Sequence, residues 1–519
     1  MNVYLLYKNR DFNLSQNLPW NEQEIIQDIE LNTLFNAMAK EDKFLFEVAK
    51  SAVLSGLGND IDTILYRQSI LKDCIKNPSV IREIYALATE AIERERKNYW
   101  GIFNRHPAGI LRRSLDVMQM FVIMLKSLRN IAEKSHDKFS SEGFIRFFAM
   151  LEKEFEDEYF TEIQSHIEQL KFRNGILVSA RLSSGNKISD YILHPLRTKI
   201  QGWFMRFLDD YIHLQNQEGK LLWIARFFNE EPGSYTFYIS SRDDSGIRAL
   251  SQLKDEGINS VTNSLTQSND HILGFFQMLK TELGYYIAAL NLYEQLTALN
   301  EPVSFPEPVD NNQHKYSFIE LYDACLALTL KGKVVGNDID ANGKNLVIIT
   351  GANQGGKSTF LRSIGLSQIM MQSGLFVPAE SFCANICDSL FTHFKREEDI
   401  SMKSGKLDEE LNRMNNIINN NTPNPMFLFN ESFAATNERE GSEIARQIVS
   451  ALFEKKVKIF YVTHLYEFAN SFYSGRTDNF LFLRAERNSD ATRTFKLNEG
   501  KPLQTSYAED LYNKVFGNE

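Results

Sequence analysis

The segment with the clearest chemistry is residues 345–359, which reads NLVIITGANQGGKST. An apolar strand here runs into the pattern Gly-x-x-x-x-Gly-Lys-Ser, whose backbone N–H groups surround phosphate oxygens. In such a loop the lysine, Lys357, reaches the β and γ phosphates, and the hydroxyl of Ser358 supplies an oxygen to Mg²⁺. The segment therefore predicts binding of a nucleoside triphosphate with Mg²⁺. The predicted nucleotide-binding residues of the loop are Gly351, Ala352, Asn353, Gln354, Gly355, Gly356, Lys357, Ser358 and Thr359.

The residues after this loop predict a helix, because Phe360, Ile364, Leu366 and Ile369 return at roughly helical spacing. The phosphates would then lie at a helix N-terminus, where free N–H groups and the helix dipole attract anions. The alternative is a glycine-rich turn that only joins a strand to a helix. The Lys-Ser pair, with a strand before it and a helix after it, favours the phosphate loop.

A second apolar strand, residues 425–429, ends in Asn430 and Glu431. The carboxyl ends of strands in parallel α/β sheets face the ligand. Phosphoryl transfer needs one group that holds Mg²⁺ or its waters, assigned here to Asn430, and one that orients the attacking water, assigned to Glu431. Asn430 brings no negative charge, and losses of this kind cost roughly 10 to 100-fold in metal affinity or activity, so we expect slow hydrolysis. A purely structural role for Asn430 is the alternative.

A third apolar strand, residues 459–462, is followed by Thr463 and His464. A neutral imidazole at a strand end would hydrogen-bond the γ-phosphate and report whether it is present. The alternative is a structural histidine, which is the common role of isolated histidines. Because this histidine follows a phosphate loop and an acidic strand end, we assign it the sensor role. The predicted catalytic residues are thus Lys357, Glu431 and His464.

The rest of the chain changes character several times along its 519 residues, a length that predicts two to four domains. Residues 22–172 have a helical pattern with few Gly or Pro, as in the apolar series Leu111, Leu115, Met118, Val122 and Leu125. Strands are predicted at residues 175–182 and 235–240. Alternating apolar strands and helices after residue 301 predict a parallel α/β sheet.

A long helix is predicted from about residue 270 to residue 300. Its apolar positions recur with a mean spacing of about 3.5 residues, which is typical of a lever or coiled-coil helix packed along one partner. An ordinary buried helix explains the same pattern over so few heptads. These positions are Ile272, Phe276, Leu279, Leu283, Tyr286, Leu290 and Tyr293.

Composition restricts the class of protein. The chain is 43% hydrophobic and 24% charged, and it has no apolar run near the roughly 20 residues that a membrane span needs. We read no secretion signal at the N-terminus, and four scattered cysteines do not form a disulfide framework, so we expect a cytoplasmic protein. The net charge of −10 argues against a general basic coat but allows a local basic channel for nucleic acid.

Several segments together carry a family resemblance. They are residues 351–359, residues 374–379 (GLFVPA), Asn430–Glu431 with Thr436, and Thr463–His464. In order and spacing they resemble the ATPase domain of the MutS family of DNA mismatch-repair proteins. Residues 336–338 look like the family's Pro-Asn-Asp segment beside the nucleotide, with Gly in place of Pro, which adds Asn337 to the predicted nucleotide-binding residues. Phe495-Lys-Leu with Gly500 and Ser506-Tyr507 looks like the family's C-terminal signature. The resemblance is strong over residues 330–510 and weaker over residues 30–300.

The resemblance implies an α/β C-terminal P-loop NTPase domain of the ABC/MutS type, preceded by a mainly α-helical core and lever domain with a small mixed β insertion. The implied domains are a helical core (1–172), a clamp-like mixed α/β insertion (173–245), a lever helix returning to the core (246–300) and the ATPase domain (301–519). It also implies a homodimer formed through the ATPase domains, with double-stranded or branched DNA as partner, in DNA repair or recombination.

This sequence departs from the family pattern at several points. Family members usually have Asp-Glu where this chain has Asn430-Glu431, and Arg-Gly before the Thr, where residues 432–435 read SFAA. The Ser-rich stretch that approaches the partner subunit's nucleotide is matched only loosely, at residues 401–410. Mismatch-reading and connector domains have no room before the helical core, and Phe160-Thr161-Glu162, which matches their Phe-x-Glu wedge, lies in a helical run and is taken as chance. We therefore expect recognition of DNA shape or junctions through backbone contacts rather than of mismatches by base insertion.

The candidates for a basic DNA-binding surface are Arg94, Arg96, Lys97, Arg105, Arg112, Arg113, Lys171, Arg173 and Arg181. The alternative for each is a solvated helix face.

Three functional hypotheses can be compared on the basis of the sequence. The leading hypothesis is a DNA-binding ATPase in which ATP switches a dimeric clamp. The second is an interaction module that binds ATP with little or no hydrolysis because Asn430 replaces the family's Asp. A transporter-like ATPase is disfavoured, because the sequence has neither a membrane segment nor a Leu-Ser-Gly-Gly-Gln signature before the strand that ends at Asn430.

Overall fold

The computed structural model describes residues 1–99, 107–171, 178–182, 188–193, 244–351, 355–396, 405–475, 477–487 and 493–503. The chain forms two compact units. The first comprises Met1–Ala88, Ile131–Leu151 and Gln277–Glu519, and the second comprises Thr89–Asn130 and Glu152–Phe276. The linear domain boundaries given above stay a prediction.

The region before residue 300 is mainly helical, as the sequence predicts. Its helices are α1 (Glu22–Asp28), α2 (Leu31–Ala39), α3 (Lys43–Leu54), α4 (Ile61–Lys76), α5 (Pro78–Tyr99), α6 (Pro107–Ser135), α7 (Glu142–Glu154), α8 (Asp157–Leu170) and α9 (Asp244–Ala298), with a short 3-10 helix at His136–Lys138. Asp42 and Asp60 begin α3 and α4 by accepting hydrogen bonds from free N–H groups of the first turn. The apolar series from Leu111 to Leu125 on α6 is buried, which confirms the predicted face.

Two strands interrupt the helices. β1 (Val178–Leu182) pairs antiparallel with β2 (Ile188–Leu193), and β1 lies within the strand predicted at residues 175–182. The strand predicted at residues 235–240 lies outside the described residues. Phe160 is buried in α8, which agrees with treating its match to the wedge motif as chance.

Two interpretations of helix α9 were open: a lever helix with one partner and an ordinary buried helix. The burial of its side chains distinguishes them for part of the helix. Every residue from 282 to 292 is buried, so this part of the helix is surrounded on all sides. A two-stranded coiled coil would leave one face exposed. The ordinary buried helix is therefore the better description of residues 282–292.

The C-terminal region is a mixed α/β structure. Its strands are β3 (Glu307–Val309), β4 (Tyr316–Leu321), β5 (Asn337–Asp340), β6 (Leu346–Thr350), β7 (Ser381–Asn385), β8 (Ser389–Phe394), β9 (Pro425–Asn430), β10 (Lys458–Val462), β11 (Phe480–Arg487) and β12 (Arg493–Glu499). Its helices are α10 (Ala324–Leu330), α11 (Lys357–Ser373), α12 (Lys406–Asn419), α13 (Glu438–Glu454) and α14 (Tyr466–Ser474), with a short 3-10 helix at Asn311–Gln313.

The larger sheet has the strand order β12-β11-β6-β10-β9-β8. Its strands from β11 to β8 run parallel, which confirms the predicted parallel sheet, and β12 is an antiparallel edge strand. Continuous apolar runs such as Leu346–Ile349 are buried, as expected for strands covered on both faces. A smaller sheet has the order β3-β7-β4-β5. Since β10 lies between β6 and β9, the carboxyl ends of these three strands are neighbours.

The first residues of the chain are held by a buried carboxylate on α9. Glu282 Oε2 accepts hydrogen bonds from the N–H groups of Leu5, at 2.5 Å, and Leu6, at 3.2 Å, and Oε1 accepts one from Phe12 at 2.7 Å. Burial raises the pKa of Glu282 to about 7, and these N–H groups oppose the rise because they favour the ionised form. One side chain thus orders a segment that lies far from it in sequence.

We expect Glu282→Gln to lower the free energy of unfolding by about 2 kcal/mol, because the amide NH₂ would face an N–H donor and leave it unsatisfied. Urea unfolding followed by circular dichroism measures the change. Glu294→Gln, on the same helix but paired with Lys40 and Arg82 at the surface, is the control and should change stability by no more than about 0.5 kcal/mol. An equal loss in both variants would contradict the role of Glu282.

The described helices include none that is both long and apolar enough to cross a bilayer.

Candidate nucleotide site

Two glycines of the loop between β6 and α11 have the backbone angles that a phosphate loop predicts. Gly351 has a φ of +126° and Gly356 a φ of +86°, values that side-chain-bearing residues rarely adopt. A Cβ at Gly351 would lie 2.8 Å from the Cβ of Ala485, so no larger residue fits there. Ala352, Asn353 and Gln354 lie outside the described residues, and their predicted role stays a prediction.

Lys357 is the first residue of α11 and is 5% exposed. Its Nζ donates a hydrogen bond to the carbonyl of Gly351 at 2.8 Å and lies 4.0 Å from Glu431 Oε1. Burial lowers the pKa of Lys357, and the nearby Glu431 opposes this effect. The ammonium group is thus held at the loop, where a phosphate would place its oxygens.

The two residues predicted to serve Mg²⁺ lie together. Ser358 Oγ donates a hydrogen bond to Asn430 Oδ1 at 3.0 Å, across the carboxyl ends of β6 and β9. A hydroxyl and an amide oxygen are hard donors of the type that Mg²⁺ accepts, and this ion usually keeps several waters and few protein ligands. The pair therefore fits Mg²⁺, although the described residues contain no cluster of three or more His, Cys, Asp or Glu suited to a metal.

Glu431 and His464 form a pair at the ends of β9 and β10. The N–H of Glu431 donates to the carbonyl of Val462 at 2.9 Å, which fixes the strand end. Glu431 Oε2 accepts a hydrogen bond from the N–H of His464 at 3.2 Å and also bonds its ring Nδ1. The bond to Glu431 raises the pKa of His464, and burial opposes the rise. The structure brings the predicted catalytic residues together, and the γ-phosphate contact of His464 stays a prediction.

Asn337, predicted to lie beside the nucleotide, is bonded to strand β12. Its Oδ1 accepts a hydrogen bond from the N–H of Leu497 at 2.7 Å, and its Nδ2 donates to the carbonyl of Phe495 at 3.4 Å. Phe495 has a φ of +59°, which is unusual for an aromatic residue, and it is 46% exposed. Asn337 thus positions the strand that carries an exposed ring.

A cavity of about 600 Å³ lies beside the loop. The polar part of its lining includes Lys357, Ser358, Thr359 and Glu431. A second, mainly apolar part comes from residues 321–335 and Phe495, and also contains Asp323 and Lys333. Residues 321–335 were not predicted to belong to the site, because no local sequence motif marks them. The apolar residues of this part are Leu321, Leu326, Leu330, Val334, Val335 and Phe495.

The candidate basic residues divide into three groups. The exposed ion pair with Glu90 favours a solvated helix face for Arg94, whereas Arg113 and Lys171 are partly buried and paired with Glu95 and Glu168. Arg96, Lys97 and Arg112 are exposed. Arg105, Arg173 and the side chain of Arg181 lie outside the described residues.

Comparisons with known proteins agree with the motifs. A family profile described as the MutS2 N-terminal domain matches residues 59–299, and one described as MutS domain V matches residues 347–509.

Three curated relatives are each named DNA mismatch repair protein MutS. The protein from Methanococcoides burtonii is 26% identical over 290 residues, which are 55% of this chain and 30% of the relative. The protein from Porphyromonas gingivalis is 31% identical over 213 residues, 37% of this chain and 24% of the relative. The protein from Clostridium botulinum strain Hall is 33% identical over 142 residues, 26% of this chain and 15% of the relative. The matched part is thus less than a third of each relative.

Proposed function

Because the chain belongs to the MutS family, we propose that it is a DNA-binding ATPase in DNA repair that uses ATP to switch a dimeric clamp. The observation that carries this proposal is the convergence of Lys357, Ser358, Asn430 and Glu431 at neighbouring ends of β6 and β9, beside a cavity of nucleotide size. Sites for nucleotides in parallel α/β sheets lie at such strand ends.

Each residue has one task in this proposal. The N–H groups of the loop bind phosphate oxygens, and Lys357 binds the β and γ phosphates. Ser358 and Asn430 hold Mg²⁺, which when bound neutralises charge on those phosphates. Glu431 accepts a hydrogen bond from the attacking water and orients it, while His464 fixes the carboxylate through two hydrogen bonds. The neutral Asn430 makes this hydrolysis slow.

Helix α11 gives a physical route from the nucleotide to the helical region. It runs from the loop at Lys357 to Ser373, whose carbonyl accepts hydrogen bonds from Tyr285 on α9, at 2.7 Å, and from Arg67 on α4, at 3.3 Å. A shift of α11 on ATP binding would therefore move groups on both helices. This coupling supports a switch rather than a passive nucleotide store.

The apolar part of the cavity lining is the proposed binding site for the base, with Phe495 stacking on it. We expect Phe495→Ala to weaken ATP binding about tenfold, because stacking of a base on an aromatic ring is worth about 1–3 kcal/mol. Binding of inorganic tripolyphosphate, which lacks a base, should not change. Titration calorimetry measures both. Leu503→Ala, which also removes an exposed apolar side chain, is the control and should bind ATP normally. A parallel loss of tripolyphosphate binding in Phe495→Ala would contradict the stacking role.

The DNA half of the proposal is tested by binding to duplex, branched, mismatched and single-stranded DNA, with and without Mg-ATP, between about 50 and 200 mM salt. We expect binding that falls steeply with salt, which shows phosphate contacts, and that changes with ATP, which shows coupling. Branched or duplex DNA should bind at least as well as mismatched DNA. If none of these DNAs binds at low salt, the proposed DNA binding is wrong.

A second candidate function is an interaction module that binds ATP without turnover. The observation that favours it is Asn430, an uncharged side chain bonded to Ser358 at the proposed Mg²⁺ position. Tight retention of ATP by the purified protein with no release of phosphate would support this function over the ATPase.

A further inference from the structure

His393, on β8, is a buried histidine that the proposed mechanism does not use. Its side chain makes two polar contacts. Nδ1 lies 2.8 Å from the hydroxyl of Ser432, and Nε2 lies 3.0 Å from the backbone carbonyl of Glu410 on α12. Its ring also stacks on the ring of Phe433, with the centroids 5.1 Å apart. His393 thus contacts both residues that follow Glu431.

The direction of these hydrogen bonds follows from the chemistry of the groups. The carbonyl of Glu410 only accepts, so Nε2 must carry the ring hydrogen. Burial, followed by the nearby positive charge of Arg413, lowers the pKa of His393 to about 4, so the ring is neutral near pH 7 and Nδ1 is an acceptor. Ser432 then donates its hydroxyl hydrogen to Nδ1 or to the backbone carbonyl of His393, which is also within hydrogen-bond reach.

The turn after Glu431 needs such support. Glu431 has a φ of +53° and Phe433 a φ of +61°, left-handed conformations that are unfavourable for residues other than glycine. Ser432 and Phe433 are fully buried, and Tyr461 donates a hydrogen bond to the Ser432 carbonyl at 3.0 Å. The surrounding contacts must hold this strained turn, and its geometry sets where the Glu431 carboxylate points.

Glu410 strengthens the same connection from α12. Burial raises the pKa of its carboxyl group, and a hydrogen bond from the Phe433 N–H opposes the rise. Helix α12 is therefore connected to the turn in two ways. The Glu410 carboxylate bonds the turn directly, and the Glu410 carbonyl bonds His393 on β8, which in turn contacts Ser432.

We propose that His393 is a positioning residue for Glu431: its ring joins the Ser432 hydroxyl to the Glu410 carbonyl and so ties the strained turn to helix α12. This inference rests on the proposed function, in which Glu431 orients the attacking water. A displacement of α12 would move the turn and withdraw Glu431 from the water. His393 is not among the residues that line the cavity.

The test uses the full chain with His393→Ala, His393→Gln and the exposed-histidine control His136→Ala. Three quantities are measured at one pH: the single-turnover rate of phosphate release, the affinity for a fluorescent ATP analogue with Mg²⁺, and the ring ¹³C shift of His464 in histidine-labelled protein. We expect His393→Ala to slow phosphate release about tenfold or more while ATP affinity changes by less than about twofold. The His464 signal should move, since its partner Glu431 is displaced. His393→Gln, whose amide also donates and accepts, should recover much of the rate, and His136→Ala should match the wild type.

Several results would overturn the inference. A wild-type rate in His393→Ala would do so, and so would a loss of ATP affinity in parallel with the rate, or a His393→Gln variant no better than His393→Ala. If the wild-type protein releases no phosphate, the hydrolytic part of the proposed function fails, and the His464 signal alone tests the positioning role. Movement of that signal in His393→Ala then supports the role, and an unchanged signal refutes it. If His393→Ala does not fold, Ser432→Ala removes only the hydroxyl and is judged by the same measurements.

Discussion

Lys357→Ala should weaken ATP binding by about 100-fold or more, equivalent to about 3 kcal/mol. The reason is that its ammonium group is held at the loop, buried to 5% exposure and bonded to Gly351, so its charge acts on phosphates at short range and with little screening by water. The fold should survive, because the substitution lies at the first residue of α11 and leaves the buried apolar residues of the helix, such as Phe360, Leu361 and Ile364, in place. Equilibrium binding of a fluorescent ATP analogue with Mg²⁺ measures the loss.

Lys344→Ala is the matched control, since Lys344 precedes β6, at the opposite end of the strand from the loop, and donates to the carbonyl of Asp478. It should bind ATP like the wild type. Thermal unfolding of both variants shows whether the fold is intact. Unchanged ATP affinity in a folded Lys357→Ala protein would mean that the loop does not bind phosphate, and the proposed function would fall with it.

The parts of the site that the sequence predicts well are those specified by neighbouring residues. Gly351 and Gly356 were predicted as loop residues because a tight phosphate loop needs backbone angles that glycine adopts freely, and the structure has those angles. Strands β6, β9 and β10 were predicted because a run of only four or five apolar residues, rich in β-branched and aromatic side chains, is typical of a buried strand and too short for a helix. Their polar ends, Asn430, Glu431 and His464, then came together through the parallel sheet.

The parts that the sequence does not predict depend on contacts between distant residues. The bond from Tyr285 to Ser373 joins positions that no local pattern relates, and the same holds for the bonds from Glu282 to the first residues of the chain. The 3.5-residue spacing in α9 shows which residues are buried on one face but not how many neighbours surround the helix. The role of His393 was not predicted, because nothing in the local sequence relates a single histidine in an apolar strand to its partner, Ser432.

Glu431→Ala should reduce the rate of ATP hydrolysis by about 100-fold or more while ATP affinity is kept, because a positioned general base or water-orienting group contributes roughly 10² to 10⁴-fold to rate. We expect ATP affinity to be kept or to rise, since the lost carboxylate lies 4.0 Å from Lys357 and competes with phosphate for its charge. The pKa of His464 should fall toward its ordinary value, since the bond to Glu431 is what raises it. Steady-state phosphate release and a histidine NMR titration measure these effects.

Glu443→Ala, which removes a surface carboxylate paired with Arg446 on α13, is the control and should hydrolyse ATP at the wild-type rate. The comparison also separates the two candidate functions. Turnover that depends on Glu431 requires a water held by this carboxylate, and so identifies an ATPase despite the neutral Asn430. Equal and negligible turnover in wild type and Glu431→Ala, with ATP still tightly bound by both, identifies the nucleotide as a structural ligand whose binding rather than hydrolysis sets the position of α11. The Ser373 contacts with Arg67 and Tyr285 would then transmit occupancy of the site and not progress of a reaction.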